Sequence, residues 1–219
     1  MASNIRIGLL DTDSDVRFGR RLTLSSHPEF EVVFDSDGAS EDLAAIEQYL
    51  IDVLVLDQRL SSGAGVSFYS SLRKLTGVKQ APPAILTATF AQPELLLDAL
   101  QEGIFDVVSV EQGASGLVAA VSRASTLTNA YSLKAIWELI SSQPSYRALD
   151  LNFMKLVDEL PQRLASGLKK LKNVWQSSDL AKIEKFDLDS LNALSSRLSV
   201  SSSVELILAM NRSGLLDVE

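Results

Sequence analysis

Four side chains that could take part in chemistry lie where hydrophobic runs of the sequence end. Asp11 and Asp13 follow the run IRIGLL, Asp57 ends the run DVLVLD, and Thr87 lies in ILTAT. In an open α/β sheet, ligands bind beyond the carboxyl ends of the strands. If these runs are strands of one parallel sheet, three carboxylates and a hydroxyl converge on one edge. A simpler interpretation remains open, in which Asp11 and Asp57 only end strands and accept backbone hydrogen bonds in loops.

The elements that would position these residues are five short apolar runs that alternate with segments of helical periodicity. Nearly continuous apolar runs are typical of strands covered on both faces. Their alternation with helices predicts right-handed βαβ units and a parallel sheet. The predicted strands are Ile5–Leu10, Phe30–Asp35, Asp52–Asp57, Pro83–Thr87 and Phe105–Val110, and the predicted helices are Asp15–Ser25, Glu41–Tyr49, Val66–Leu75, Pro93–Gln101 and a fifth that starts near Gln112.

After Arg123 the pattern changes, and only helices are predicted. Apolar residues recur at steps of three and four from Phe153 to Trp175, which predicts an amphipathic helix. Pro161 should kink or divide it. Shorter helices are expected over residues 133–140 and after Asp187.

The last helix has sequence signals at both ends. Ser202–Glu205 matches a capping box, and Gly214 fits a C-terminal glycine cap. We therefore predict an α/β domain over residues 1–125 and an all-helical domain over residues 126–219. The predicted linkers are Ser125–Asn129 and Ser141–Ser145.

Composition excludes several functional classes. The chain has no cysteine and one histidine, His27, so thiolate sites, disulfides and multi-histidine metal sites are ruled out. The N-terminus lacks the features of a signal peptide, and no apolar run is long enough to span a bilayer. We expect a cytoplasmic protein without membrane insertion.

The net charge of −8 lies entirely in residues 1–125, whereas residues 126–219 are balanced. Neither part has the overall basic character that usually supplies affinity for nucleic acid. Residues 160–178 do contain Arg163, Lys169, Lys170 and Lys172 without any acid. That segment could contact DNA, or it could be the solvated face of an amphipathic helix. No phosphate-binding loop or HExxH motif is present, and we expect the protein not to be an enzyme.

Taken in order, the motifs resemble the receiver domains of two-component response regulators over about residues 4–125. DVLVLDQRL followed by GAGVSFYSSLR is similar to the family's phosphoacceptor strand and the next helix, ILTAT to the strand with the family's hydroxyl, and IRIGLLDTDSDVRFGRRL to its opening. The resemblance implies a flavodoxin/CheY-like, doubly wound, five-stranded parallel sheet in the order 2-1-3-4-5, followed by an all-α C-terminal domain.

The resemblance also implies roles for the acidic edge. Asp57 would be the phosphoacceptor, and Asp11, Asp13 and Asp57 would be the candidate ligands of Mg²⁺. A cation is needed in that chemistry because the carboxylate and the phosphoryl group are both anionic. Thr87 would be the switch hydroxyl that contacts the phosphoryl group.

Two departures from the family pattern affect this site. Thr12 stands where the family usually has a second acid that binds the metal directly. The family's lysine after the fifth strand would fall at Ser109 or Val110, so a charge-assisted contact of about 1.5–3 kcal/mol is missing. Arg59 could replace some of that positive charge. These departures favour a degenerate receiver over a normal phosphoswitch.

The sequence therefore predicts a response-regulator-like signalling protein that acts through protein–protein interaction, with a receiver that does not depend on phosphorylation. Its partner would be a histidine kinase or a downstream regulator, bound by the fourth helix, fifth strand and fifth helix. A homodimer is a further expectation. The alternative is a phosphorylation-controlled transcription regulator with a diverged DNA-binding C-terminal domain, since LSVSSSVELILAMNRSGLL weakly resembles the last helix of the helix-turn-helix domains attached to many response regulators. An enzyme of the same architecture is a distant third.

Overall fold

The computed structural model describes residues 4–77, 81–126, 133–142, 151–177, 182, 188–200 and 203–216. The chain forms two compact units, residues 1–130 and residues 131–219. Most of the two predicted linkers, Ser125–Asn129 and Ser141–Ser145, lies outside the described residues. Within the described ranges, no helix combines the length and apolar character needed to cross a bilayer.

The first unit is built on a five-stranded parallel sheet in the order β2-β1-β3-β6-β7. This confirms the predicted order 2-1-3-4-5. A separate antiparallel ribbon, β4 with β5, follows β3 and was not predicted. The strands are β1 Ile5–Leu10, β2 Phe30–Ser36, β3 Val53–Asp57, β4 Arg59–Leu60, β5 Gly63–Ala64, β6 Ala84–Ala88 and β7 Asp106–Ser109.

Helices cover both faces of this sheet. The predicted second helix is shorter than expected, because a 3-10 turn over Glu47–Tyr49 replaces its end. Another 3-10 turn, Val110–Gln112, precedes the last helix of the unit. The helices are α1 Ser14–Ser25, α2 Asp42–Ile46, α3 Gly65–Thr76, α4 Pro93–Gln101 and α5 Gly113–Ser125.

The central strand β3 shows how the sheet divides the hydrophobic core in two. Val53 and Val55 point into a cluster that includes Val121 of α5. Leu54 and Leu56 alternate with them and pack into a second cluster on the opposite face. These four side chains are fully buried, since successive strand residues point to opposite faces and both faces are covered.

The second unit contains only helices among its described residues. Pro161 divides the long apolar segment as predicted, and it precedes the first residue of α8. Gly214 has a φ of +71° just after the last helix, as a C-terminal glycine cap requires, whereas Ser202 of the predicted capping box is outside the described residues. The helices are α6 Leu133–Ser142, α7 Leu151–Asp158, α8 Gln162–Gln176, α9 Leu188–Arg197 and α10 Ser203–Arg212.

Candidate functional site

Strand register brings three of the predicted site residues together at the carboxyl edge of the sheet. Leu10 of β1 pairs with Leu56 of β3, so the residues that follow them, Asp11 and Asp57, are neighbours. Asp57 in turn pairs directly with Thr87 of β6. The site therefore spans three adjacent strands, and its geometry follows from their parallel alignment.

Asp57 is held by neutral donors on two sides. The Thr87 hydroxyl lies 3.3 Å from Asp57 Oδ2 and 3.2 Å from the carbonyl oxygen of Leu56, so its one proton is shared between two acceptors. The backbone N–H of Arg59 donates to Asp57 Oδ1 at 3.0 Å. The Asp57 side chain remains 16% exposed, so solvent reaches one part of the carboxylate.

The start of α3 packs directly against the end of β3. A Cβ atom on Gly65 would come within 2.2 Å of the Asp57 carbonyl oxygen, so only glycine permits this approach. The Gly65 N–H donates to the carbonyl oxygen of Gln58 at 3.0 Å. This contact fixes the backbone just after Asp57.

A positive charge that the sequence analysis missed lies between the two carboxylates. Arg20 of α1 donates from Nη1 to Asp11 Oδ2, and its Nη2 lies 3.4 Å from Asp57 Oδ2. Its side chain is 16% exposed. Helical side chains lean toward the N-terminus of their helix, and α1 begins beside the carboxyl edge, so Arg20 reaches back to the site. The predicted source of positive charge, Arg59, has its described contact with Asp57 through its backbone N–H.

Two more arginines of α1 offset acidic groups at the same edge. Arg17 donates from Nε to Asp35 Oδ1 at 2.6 Å and from Nη1 to the Asp11 carbonyl oxygen. Arg21 Nη1 lies 3.2 Å from Asp35 Oδ2 and is about half exposed. Arg17 and Arg20 lie one turn apart on α1, so they share one face of the helix, but this spacing does not indicate which acids they meet.

Asp11 is the most buried acid of the site, with 3% of the residue exposed. Burial raises the pKa of Asp11 above its ordinary value of 3.8, and the carboxylates of Asp57 and Asp13 act in the same direction. The hydrogen bond from the Asp13 N–H, at 2.8 Å, and the charge of Arg20 act against this rise without cancelling it. The protonated form of Asp11 is therefore favoured relative to a solvated aspartate.

Asp13, the third acid of the predicted metal site, hydrogen-bonds to the start of α1. Its Oδ1 accepts hydrogen bonds from the backbone N–H groups of Asp15, at 2.9 Å, and Val16, at 3.1 Å. It is thus the N-cap of α1. Thr12 carries no carboxylate, and no group of three or more acids that could hold a metal ion occurs within the described residues. The residues present do not fit a Mg²⁺ site of the receiver type.

The position of the family's lysine is also occupied by a local cap. The Ser109 N–H donates to Gln112 Oε1 at 2.7 Å, and the two residues form a capping box around the 3-10 turn after β7. Val110 is 67% exposed. Neither residue brings a positive charge to Asp57.

A five-stranded parallel sheet with an acidic carboxyl edge defines a receiver-type α/β protein. The model of the response regulator receiver domain family matches residues 7–122, more than half of the chain. The chain belongs to this family. A search of curated proteins finds no significant match.

Solved structures agree with this assignment at the level of fold. The signal receiver domain of the response regulator NarL from Mycobacterium tuberculosis is 23% identical, covers 57% of this chain and 98% of its own length, and has a TM-score of 0.52. A LuxR-family two-component response regulator from Aurantimonas is 23% identical over 64% of this chain and 98% of its own, with a TM-score of 0.56.

A third similar structure extends over both units of the chain. The RcsB response regulator of Salmonella typhimurium, described in connection with DNA interaction, is 15% identical, covers 95% of this chain and 99% of its own, and has a TM-score of 0.54. At such identities the likeness concerns the fold, and function has to be argued from the site.

Proposed function

We propose that this protein is a response-regulator signalling protein whose receiver domain acts through protein–protein contact and does not depend on phosphoryl transfer to Asp57. The observation that carries the proposal is the hydrogen bonding of Asp13. Because its carboxylate caps α1, and because Thr12 precedes it, we infer that Asp11 and Asp57 are left without a third carboxylate to help gather a cation.

The absence of the family's lysine at Ser109 and Val110 supports the same proposal. In a phosphorylated receiver a positive side chain at the end of the last strand would pair with the new anionic oxygens, and such charge-assisted bonds are about twice as strong as neutral ones. Here Ser109 and Gln112 satisfy each other and Val110 is apolar. A phosphoryl group on Asp57 would have no partner at this position.

A surface suited to protein contact lies next to the site. Phe90 follows β6 and is 61% exposed, and Val110 follows β7 and is 67% exposed. Since β6 and β7 are neighbouring strands, both apolar side chains lie beyond the same end of the sheet. We assign partner binding to the α4–β7–α5 face that carries Val110, with a histidine kinase or a downstream regulator as the partner.

Treatment with a phosphodonor tests the proposal. Full-length protein and its Asp57→Ala variant are incubated with Mg²⁺ and acetyl phosphate or beryllofluoride, and intact mass and amide chemical shifts are recorded. We expect the wild type to show no phosphoryl adduct and no shift change that the variant lacks. An adduct on the wild type that Asp57→Ala abolishes would overturn the proposal.

The partner can be assigned in parallel. Affinity capture from an extract of the source organism is compared for wild type, Asp57→Ala and Val110→Glu, with the captured proteins quantified by mass spectrometry. We expect Asp57→Ala to retain its partner fully and Val110→Glu to lose it. A variant that lacks residues 126–219 is included in the same comparison. If it retained every partner, the helical unit would take no part in binding.

A second candidate function is that of a DNA-binding regulator controlled by phosphorylation. Arg163, Lys169 and Lys170 are exposed on α8, and the RcsB structure resembles both units in fold. Against it, α10, at the place of the weak helix-turn-helix resemblance, carries Arg212 as its one basic residue.

Duplex binding at low salt separates the two candidates. A regulator of this kind would bind DNA with an affinity that falls steeply as salt rises, because counterions are released from phosphates. We expect no such binding, with or without a phosphodonor. If binding occurs and replacement of Lys169 and Lys170 by glutamine abolishes it, the DNA-binding function is favoured.

A further inference from the structure

We propose that the Arg20 guanidinium is a built-in cation that takes the place of the divalent metal between Asp11 and Asp57 and excludes metal from this site. The inference rests on the proposed function, because it gives the physical cause for a receiver that does not use phosphoryl chemistry. It also assigns Arg20 a role of its own. Three features of the structure support it: the contacts of Arg20, its charge, and the geometry that holds it in place.

The contacts of Arg20 involve the oxygen atoms that a metal would need. Nη1 donates to Asp11 Oδ2, and Nη2 lies 3.4 Å from Asp57 Oδ2. A Mg²⁺ ion bridging Asp11 and Asp57 would have to lie about 2.0–2.1 Å from each of its ligand oxygens. The guanidinium already lies against one oxygen of each carboxylate, so a metal on these two oxygens would have to compete with Arg20 for them.

The charge of Arg20 opposes a metal as well. One guanidinium beside two carboxylates leaves a single negative charge on the trio, whereas a receiver with an additional acid would offer three. Arg20 and Asp11 are both largely shielded from solvent, with side-chain exposures of 16% and 4%. Screening by water and salt is weaker for such a pair than for exposed charges, so the repulsion between Arg20 and an incoming cation is strong.

The geometry around Arg20 holds the guanidinium in place. Arg20 contributes its planar fork to two acceptors, an arrangement that a lysine cannot reproduce with the same geometry. Asp11 Oδ1, the other oxygen of that carboxylate, is taken by the Asp13 N–H at 2.8 Å, and Asp57 Oδ1 accepts from the Arg59 N–H at 3.0 Å. Every oxygen of the two carboxylates thus has a donor.

A titration with Mn²⁺ tests the inference without any phosphodonor. Paramagnetic broadening of amide signals is followed in full-length protein, comparing Gln58 and Ala88 at the carboxyl edge with Ile5 and Phe30 at the opposite edge. We expect the wild type to show no saturable broadening specific to the carboxyl edge. Arg20→Ala should gain saturable broadening at Gln58 and Ala88 that Ile5 and Phe30 do not share.

Two variants control for net charge and for folding. Arg21→Ala removes one positive charge from the next residue of α1, which pairs with Asp35, and should behave as the wild type. Arg20→Lys keeps the charge and should still exclude Mn²⁺ more strongly than Arg20→Ala does. Arg20→Gln is a second neutral variant in case Arg20→Ala does not fold.

Three outcomes would overturn the inference: specific saturable binding of Mn²⁺ by the wild type, an equal gain in Arg21→Ala, or no gain in a folded Arg20→Ala or Arg20→Gln protein. These outcomes are distinct from failure of the proposed function. A wild type that is phosphorylated on Asp57 yet excludes Mn²⁺ contradicts the proposed function alone. A wild type that binds Mn²⁺ but is never modified contradicts the inference alone.

Discussion

The Arg20 guanidinium pairs with Asp11, whose side chain is 4% exposed. Breaking a buried pair by removing one partner leaves an uncompensated charge and typically costs about 3–5 kcal/mol. Because Arg20 itself keeps some contact with solvent, we expect Arg20→Ala to lower the unfolding free energy of the first unit by about 2–4 kcal/mol. The measurement is the urea dependence of amide signals from β1 and β3.

The matched control is Arg21→Ala. Arg21 is 48% exposed and pairs with Asp35, and exposed pairs of this kind contribute about 0–1 kcal/mol. If both variants lost the same stability, the pairing of Arg20 with Asp11 would not have the importance that its burial suggests.

Gly65 should tolerate no side chain. An alanine Cβ would meet the Asp57 carbonyl oxygen at 2.2 Å and Leu86 at 3.1 Å, and overpacking commonly costs about 1–3 kcal/mol, occasionally more. We expect Gly65→Ala to fall at the upper end of that range and to shift the amide signals around Asp57. Gly19→Ala is the control, because its Cβ meets nothing within 4 Å and alanine in a helix should stabilise by about 0.5–1 kcal/mol.

Asp13 should act as a helix cap. Loss of its two hydrogen bonds to the backbone of α1 predicts that Asp13→Ala destabilises the protein by about 1 kcal/mol, whereas Asp13→Asn, which still caps, has little effect. Thermal unfolding of both variants measures the difference. A Mn²⁺ titration in the Arg20→Ala background gives a second measurement. If Asp13→Asn weakened Mn²⁺ binding there, Asp13 would be a metal ligand and not only a cap.

The pKa of Asp11 predicts a specific pH dependence of stability. Because burial raises this pKa above 3.8 in the folded protein, the folded state binds the proton more tightly than the unfolded chain does. The contribution of Asp11 to the unfolding free energy is therefore fully present below pH 3.8 and decreases as pH rises to the raised value. Above that value it is constant.

Carboxyl ¹³C chemical shifts of Asp11 measure the titration directly. The difference in unfolding free energy between wild type and Asp11→Asn, followed across the acidic range, measures its effect on stability. A midpoint at or below 3.8, or a difference that grows in favour of the wild type as pH rises through this window, would contradict the direction that burial imposes.

Much of the fold could be predicted from the sequence because its signals are local. The bounds of β1 and of α4 agree with the predicted Ile5–Leu10 and Pro93–Gln101, since each is marked by an apolar pattern and a clear end. The ribbon over Arg59–Ala64 could not be predicted in this way, because strands of two residues are too short to show a periodicity. α2 is shorter than predicted because the hydrogen bonding changes to the 3-10 pattern within a single turn.

For the candidate site, too, the features with a local sequence signal could be predicted and the others could not. Asp11, Asp57 and Thr87 could be placed together because each lies at the end of a strand and parallel strands share an edge. The cap formed by Asp13 was not predicted, although an aspartate just before a helix fits both a cap and a ligand. The predicted roles of these four residues in phosphoryl transfer and metal binding stay predictions.

The receiver fold and the acidic edge follow from the sequence, because hydrophobic alternation and strand ends are properties of neighbouring residues. Which positive charge meets that edge depends on tertiary packing. Arg20 is nine residues from Asp11 and thirty-seven from Asp57, and its contact with both depends on how α1 packs on the sheet and on the backward lean of helical side chains. Charge–charge contacts of this kind are set by distances in space, which spacing along the chain does not specify.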